Sequence, residues 1–158
     1  MKLTTSEERL LFKQRLKARC VAILRERVDT ARLAMESAQE AANNEEKSSA
    51  GDKYETGRAM SQTDRDLSAG RMDGAIQDML KLQSLDAERL YNEVNNGAII
   101  VCNETIYFIA TGLGAISFDE HKVIVLSTQS PLSNSLRGKS KGDNGTFNGN
   151  SFEITDVF

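Results

Sequence analysis

The chain of 158 residues has no tryptophan, one proline, one histidine and two cysteines. Each scarcity narrows the reading. One proline and no tryptophan speak for long uninterrupted helix and against a loop-rich fold. Cys20 and Cys102 have no neighbouring Cys or His at metal-ligand spacing, so both are read as free thiols, buried or half-exposed, in a reducing compartment. The lone His121 is read as the opening residue of a strand, not as a catalytic group. No apolar stretch approaches the roughly 20 residues that span a bilayer, and Met1 to Glu8 lacks the hydrophobic region of a signal peptide. A cytoplasmic chain with no membrane partner is expected. With 20 basic against 23 acidic residues the net charge is −3, which argues against a generic nucleic-acid binder. The hydrophobic content, 39%, is low for one compact globule.

What is present changes character at Asn95-Asn96-Gly97. Before that point the pattern is helical. Thr5 and Glu8 fit a capping box, in which hydroxyl and carboxylate each satisfy a free helix N–H. Val21, Leu24, Val28, Ala31, Met35, Ala38 and Ala42 then recur at alternating spacings of three and four, the seam of a coiled coil. Asn43-Asn44 and Ser48-Ser49-Ala50-Gly51-Asp52 read as a turn. A second helix is expected from about Asp52 to Tyr91, with a weaker seam of Met60, Leu67, Met72, Ile76, Met79, Leu82 and Leu85. Gly57, Gly70 and Gly74 weaken it, each by about 1 kcal/mol relative to Ala. The expected architecture over residues 1–94 is an antiparallel coiled-coil hairpin with its tip at about 43–53. At 1.5 Å per residue, Val21 to Asn44 alone makes an arm of roughly 35 Å.

Residues 95–158 read as strands: Gly97–Asn103, Thr105–Thr111, His121–Ser127 and Ser151–Phe158. Asn148-Gly149 is a hairpin signal, because both central positions of a type I′ turn need positive φ. Phe108, Phe118, Phe147 and Phe152 are read as core. Between the third and last strands lies the run Ser130-Pro131-Leu132-Ser133-Asn134-Ser135-Leu136-Arg137-Gly138-Lys139, then Gly142-Asp143 and Phe152-Glu153-Ile154. Pro131 suits the first position of a short helix, Ser130 its N-cap and Gly138 its exit. The reading is α+β: a helical hairpin followed by a small antiparallel sheet domain with one short helix.

That run resembles the C-terminal signature of the bacterial Gre transcription elongation factors (GreA/GreB), roughly S-P-[LI]-x-x-x-L-x-G-K-x-x-G-D followed by a strand [YF]-E-I. The matching residues are Ser130, Pro131, Leu132, Leu136, Gly138, Lys139, Gly142, Asp143, Phe152, Glu153 and Ile154. Gly70-Arg71 resembles a Gly-Arg pair of the family's second helix. The resemblance implies an FKBP-like C-terminal domain and a hairpin that enters the secondary channel of bacterial RNA polymerase. There, acidic side chains at the tip help hold a Mg²⁺ ion and a water, and the polymerase hydrolyses the 3′ end of backtracked RNA. The physical need is for hard oxygen ligands to a second metal. Such a protein is not an enzyme itself and binds no cofactor alone; any Mg²⁺ is shared with the polymerase.

The tip departs from the family, whose pattern is approximately G-D-L-x-E-N-A-E-Y. With Tyr54 aligned to its tyrosine, the functional Asp and Glu positions fall on Lys47 and Ala50. The nearby carboxylates Glu45, Glu46, Asp52 and Glu55 are the remaining candidates, with Glu45, Glu46 or Asp52 as metal ligands after a shift of the turn. Asp52 and Glu55 equally suit a helix cap. The start of helix 1 is basic (Arg9, Lys13, Arg15, Lys17, Arg19, Arg25, Arg27), which by resemblance would meet nascent RNA and otherwise is a solvated face. The polymerase-docking surface is expected between Ser127 and Asp143, through Ser130, Pro131, Leu132, Gly138, Lys139, Gly142 and Asp143. A monomer is expected. Two alternatives stay open: a channel-binding regulator without cleavage activity, and a coiled-coil interaction module unrelated to transcription.

Overall fold

The computed structural model describes residues 3–46, 52–103 and 105–158, without the side chains of Glu45, Glu46, Asp52, Lys53 and Tyr54. Two compact units are present: Ala22–Met79, and Met1–Val21 together with Leu80–Phe158. The first 21 residues therefore share a unit with the sheet.

Helix α1 (Ser6–Glu46) opens with the expected reciprocal cap. Glu8 N–H donates to Thr5 Oγ1 at 3.1 Å, and Thr5 N–H donates to Glu8 Oε2 at 3.0 Å. The N–H groups of Thr5 and then Thr4 hold the Glu8 carboxyl below its ordinary value. In the unit that holds the sheet, Phe12, Leu16 and Cys20 make a buried stripe at intervals of four. The Phe12 ring meets Phe118 and Phe158 edge-on, with centroids 5.3 and 6.3 Å away. In the hairpin unit the α1 seam lies as expected: Leu24, Ala31 and Ala42 are buried, and Val28, Met35 and Ala38 are half-buried.

Helix α2 (Asp52–Gln83) differs from expectation in two ways. Its inward positions are Ser61, Ser68, Met72, Ala75 and Met79, whereas Met60 and Leu67 are 64% and 52% exposed. The seam is displaced by one residue from the large side chains. Opposite the alanines of α1, small residues allow the backbones to approach, and the heptad spacing from Met72 and Met79 decides the register. The helix also ends at Gln83, short of Tyr91. Leu85 N–H turns back to Leu82 O at 3.3 Å, Ser84 Oγ donates to Lys81 O, and Asp86 Oδ1 accepts from Glu88 N–H. Lys17 Nζ takes the carbonyls of Gln83 and Leu85, orphans at a helix end. Leu85 is thus outside the helix and outside the seam.

The sheet unit holds β1 (Ile99–Cys102), β2 (Thr105–Ala110), β3 (Gly114–Phe118), β4 (His121–Ser127), α3 (Pro131–Leu136), β5 (Asn144–Phe147) and β6 (Asn150–Val157). The strand order is β3-β4-β2-β1-β6-β5. The sheet is mixed rather than antiparallel: β2 and β4 run parallel, Ile106 opposite Val123 and Ala110 opposite Ser127. Strand β3, not anticipated from sequence, makes this possible. It forms a hairpin with β4, and β4 then inserts beside β2. The β3–β4 turn uses Asp119 and Glu120, both at positive φ (45° and 62°) without a glycine, so no turn signal marks it. Asn148 and Gly149, at φ 50° and 79°, form the expected hairpin turn between β5 and β6. One face of the sheet buries Ile100, Cys102, Ile109, Ile154 and Val157 with Leu136 of α3. The intervening Ile99, Phe108, Val123 and Val125 are also buried, so both faces are covered. Phe147 and Phe152 are half-buried, while Phe108 and Phe118 are core.

Candidate functional site

Most of the signature residues from Ser130 to Asp143 do backbone work. Ser130 is the N-cap of α3, at φ −65° and ψ 146°, and its Oγ accepts from Ser133 N–H at 3.1 Å. Pro131 follows at the start of α3, where a missing N–H costs nothing. Leu136 is 1% exposed and Leu132 packs half-buried against the same core. Gly138, at φ 73°, lets the chain leave the helix and donate to Val94 O at 3.0 Å, while Val94 N–H donates to Lys139 O at 2.7 Å. Asp143 Oδ2 accepts from Ser140 N–H at 2.7 Å, closing the turn in which Gly142 sits at φ 91°. Gly142 N–H then reaches Ile154 O at 2.7 Å, and Ile154 N–H returns to Asp143 O at 2.9 Å. Lys139 Nζ covers the carbonyl of Asn144 on the edge strand at 3.2 Å.

The motif is therefore first a folding signature for the strand–helix–turn–strand path. What it presents outward is Pro131, Asn134, Arg137, Lys141 and Asp143, all exposed. Two of these, Arg137 and Lys141, are cations four residues apart, and Arg137 also donates to Thr128 O at 3.0 Å.

The basic start of α1 is largely engaged within its own unit. Arg9 pairs with Asp156 at 2.6 Å and stacks over the Phe158 ring. Arg15 pairs with Asp119 at 2.8 Å and lies over Phe118. Lys17 caps α2 as described, and Lys13 is 1% exposed, donating to Arg89 O. Burial pushes the Lys13 ammonium down to about 8, against the opposing pull of Asp86. Sequence spacing does not reveal this, because Lys13 lies between Phe12 and Leu16 on the buried stripe and reads as an ordinary surface charge. Arg19 and Arg25 are exposed, as is Arg27, which is also engaged in an interaction.

The candidate tip carboxylates Glu45, Glu46 and Asp52 have side chains outside the described residues, as do Lys47 and Ala50 altogether. Glu55 is exposed in the first turn of α2. Among the described residues no group of three or more His, Cys, Asp or Glu is arranged to hold a metal ion. Both cysteines are free and buried, and burial pushes their thiols up to about 12 for Cys20 and about 11 for Cys102. His121 opens β4, as expected. Among the described residues no helix is long and apolar enough to cross a membrane.

The chain matches no family model and no curated protein sequence. It is similar to the solved structure of the transcription factor Gfh1, at 15% sequence identity over 87% of this chain and 92% of that one, with a TM-score of 0.34.

Proposed function

We propose that this protein is a Gre-like transcription factor that binds bacterial RNA polymerase, inserts its helical hairpin into the secondary channel and stimulates cleavage of backtracked RNA. The observation that carries the reading is the ordered run Ser130, Pro131, Leu136, Gly138, Lys139, Gly142 and Asp143. It occurs in a segment where cap, helix exit and tight turn each use the residue type the signature demands. An antiparallel helical hairpin precedes it, in the order that the resemblance requires.

In this reading the hydrolysis belongs to the polymerase. Glu45, Glu46 or Asp52 would supply a carboxylate ligand to a Mg²⁺ shared with the polymerase, and such a metal would supply charge stabilisation to the hydrolysis. The exposed residues Pro131, Arg137 and Lys141 face the polymerase at the channel rim. Exposed Arg19 and Arg25 are the remaining candidates for contact with nascent RNA. The factor acts as a monomer in the cytoplasm.

Lys47 and Ala50 favour a second reading, in which the protein occupies the channel without stimulating cleavage. Both are separated by RNA cleavage in a stalled, backtracked elongation complex, comparing no factor, the protein, and its Glu45→Ala/Glu46→Ala variant. Shortened RNA that is lost in the variant while binding persists supports the cleavage factor. Competition with an authentic Gre factor, without cleavage, supports the second reading. Neither activity sinks both.

A further inference from the structure

The hairpin seam changes chemistry part-way along. In its inner part, Leu24 and Ala31 share a groove with Ser68 and Ala75, and Val28, Met35, Met72, Ile76 and Met79 are at least half-buried. Among the described residues beyond Met35, the seam of α1 offers Ala38 and Ala42. Facing them are Ser61 and Arg65, around a cleft of about 60 Å³. Arg65 stands where the heptad spacing calls for an apolar residue, and its guanidinium donates to Gln39 Oε1 at 3.1 Å. Gln39 in turn donates to Asn43 Oδ1 at 3.0 Å. These exposed side-chain bonds compete with water and add little. A helix end with little apolar packing rests on propagation alone, which in water is close to balance for each residue added.

We infer that the described hairpin consists of two cooperative segments, an inner zipper that stays closed and an outer pair, residues 36–44 and 56–66, that opens by itself in the free protein. The boundary is set by seam chemistry, since cooperative units differ in stability according to the apolar contacts they hold. The inference concerns the free chain and stands whether or not the polymerase reading does.

The test is residue-resolved hydrogen exchange on the full chain. Amides of residues 36–44 and 56–66 are expected to exchange at least ~10-fold faster than those of 24–34 and 69–78, with the step near Met35 and Ser68. Uniform protection to within one turn of Glu46 and Asp52, which is ordinary helix-end fraying, overturns the inference. A Ser61→Leu/Arg65→Leu variant fills the cleft beside Ala38 and Ala42. It is expected to slow outer exchange about tenfold and leave the inner amides unchanged. Unchanged outer exchange in a variant that retains its helical circular dichroism overturns it as well; if that variant does not fold, the profile of the unsubstituted chain decides.

Discussion

The Lys13 ammonium lies 4.4 Å from the centroid of the Tyr91 ring, and it donates to the backbone carbonyl of Arg89. A buried cation is thus held by one aromatic face and one peptide oxygen, with Asp86 and Arg89 as the charged groups around it.

A pH dependence follows from that placement. The folded value is about 8 and the ordinary one 10.5, so between them the unfolded chain binds more protons and stability rises with pH. From pH 7.5 to 10 the protein should gain roughly 2 kcal/mol relative to its Lys13→Met variant. Urea denaturation of both proteins at the two pH values measures this. Parallel curves would mean that Lys13 is not desolvated in solution.

Gly70 and Gly74 lie within α2 with nothing within 4 Å of where a Cβ would stand. Replacing either by Ala should stabilise the helix by about 1 kcal/mol, through lost unfolded-chain entropy. Thermal unfolding reads the gain. A loss of stability contradicts the open placement.

The register of the seam is testable with a contrasting pair. Leu24 is fully buried and Leu67 is 52% exposed. Leu24→Ala should cost about 2–4 kcal/mol, whereas Leu67→Ala should change stability by less than about 0.5 kcal/mol. Equal losses in chemical denaturation would return Leu67 to the seam.

Gly145 on β5 lies beneath the Phe152 ring of β6, and a Cβ there would stand 2.4 Å from the ring. Gly145→Ala should destabilise the protein by roughly 1–3 kcal/mol, and Phe152→Leu should remove most of the added penalty in a double-mutant cycle. Additive losses would show that the ring does not cover the glycine.

Local chemistry was legible wherever a few neighbouring residues decide the outcome. The Thr5–Glu8 cap, the Ser130-Pro131 helix start and the Asn148-Gly149 turn are each decided within a few residues. The α1 seam was readable because its large and small residues keep one spacing. The tip carboxylates are another matter: Glu45, Glu46 and Asp52 are plain in the sequence, but a metal role depends on geometry beyond their own turn.

The sequence by itself therefore determined the two long helices, the short capped helix and four of the strands, since these rest on propensity, capping and periodicity. Tertiary structure alone decided the rest. It chose Ser61 and Ser68 over Met60 and Leu67, because heptad spacing from Met72 and Met79 outranks the size of two side chains. It ended α2 at Gln83, where Lys17 reaches from α1 to the carbonyls of Gln83 and Leu85. It set β4 parallel to β2 by pairing the glycine-led β3 outside it, and it buried Lys13 against Tyr91. In each case the partner is distant in the chain, and burial or hydrogen bonding with it outweighs the local preference.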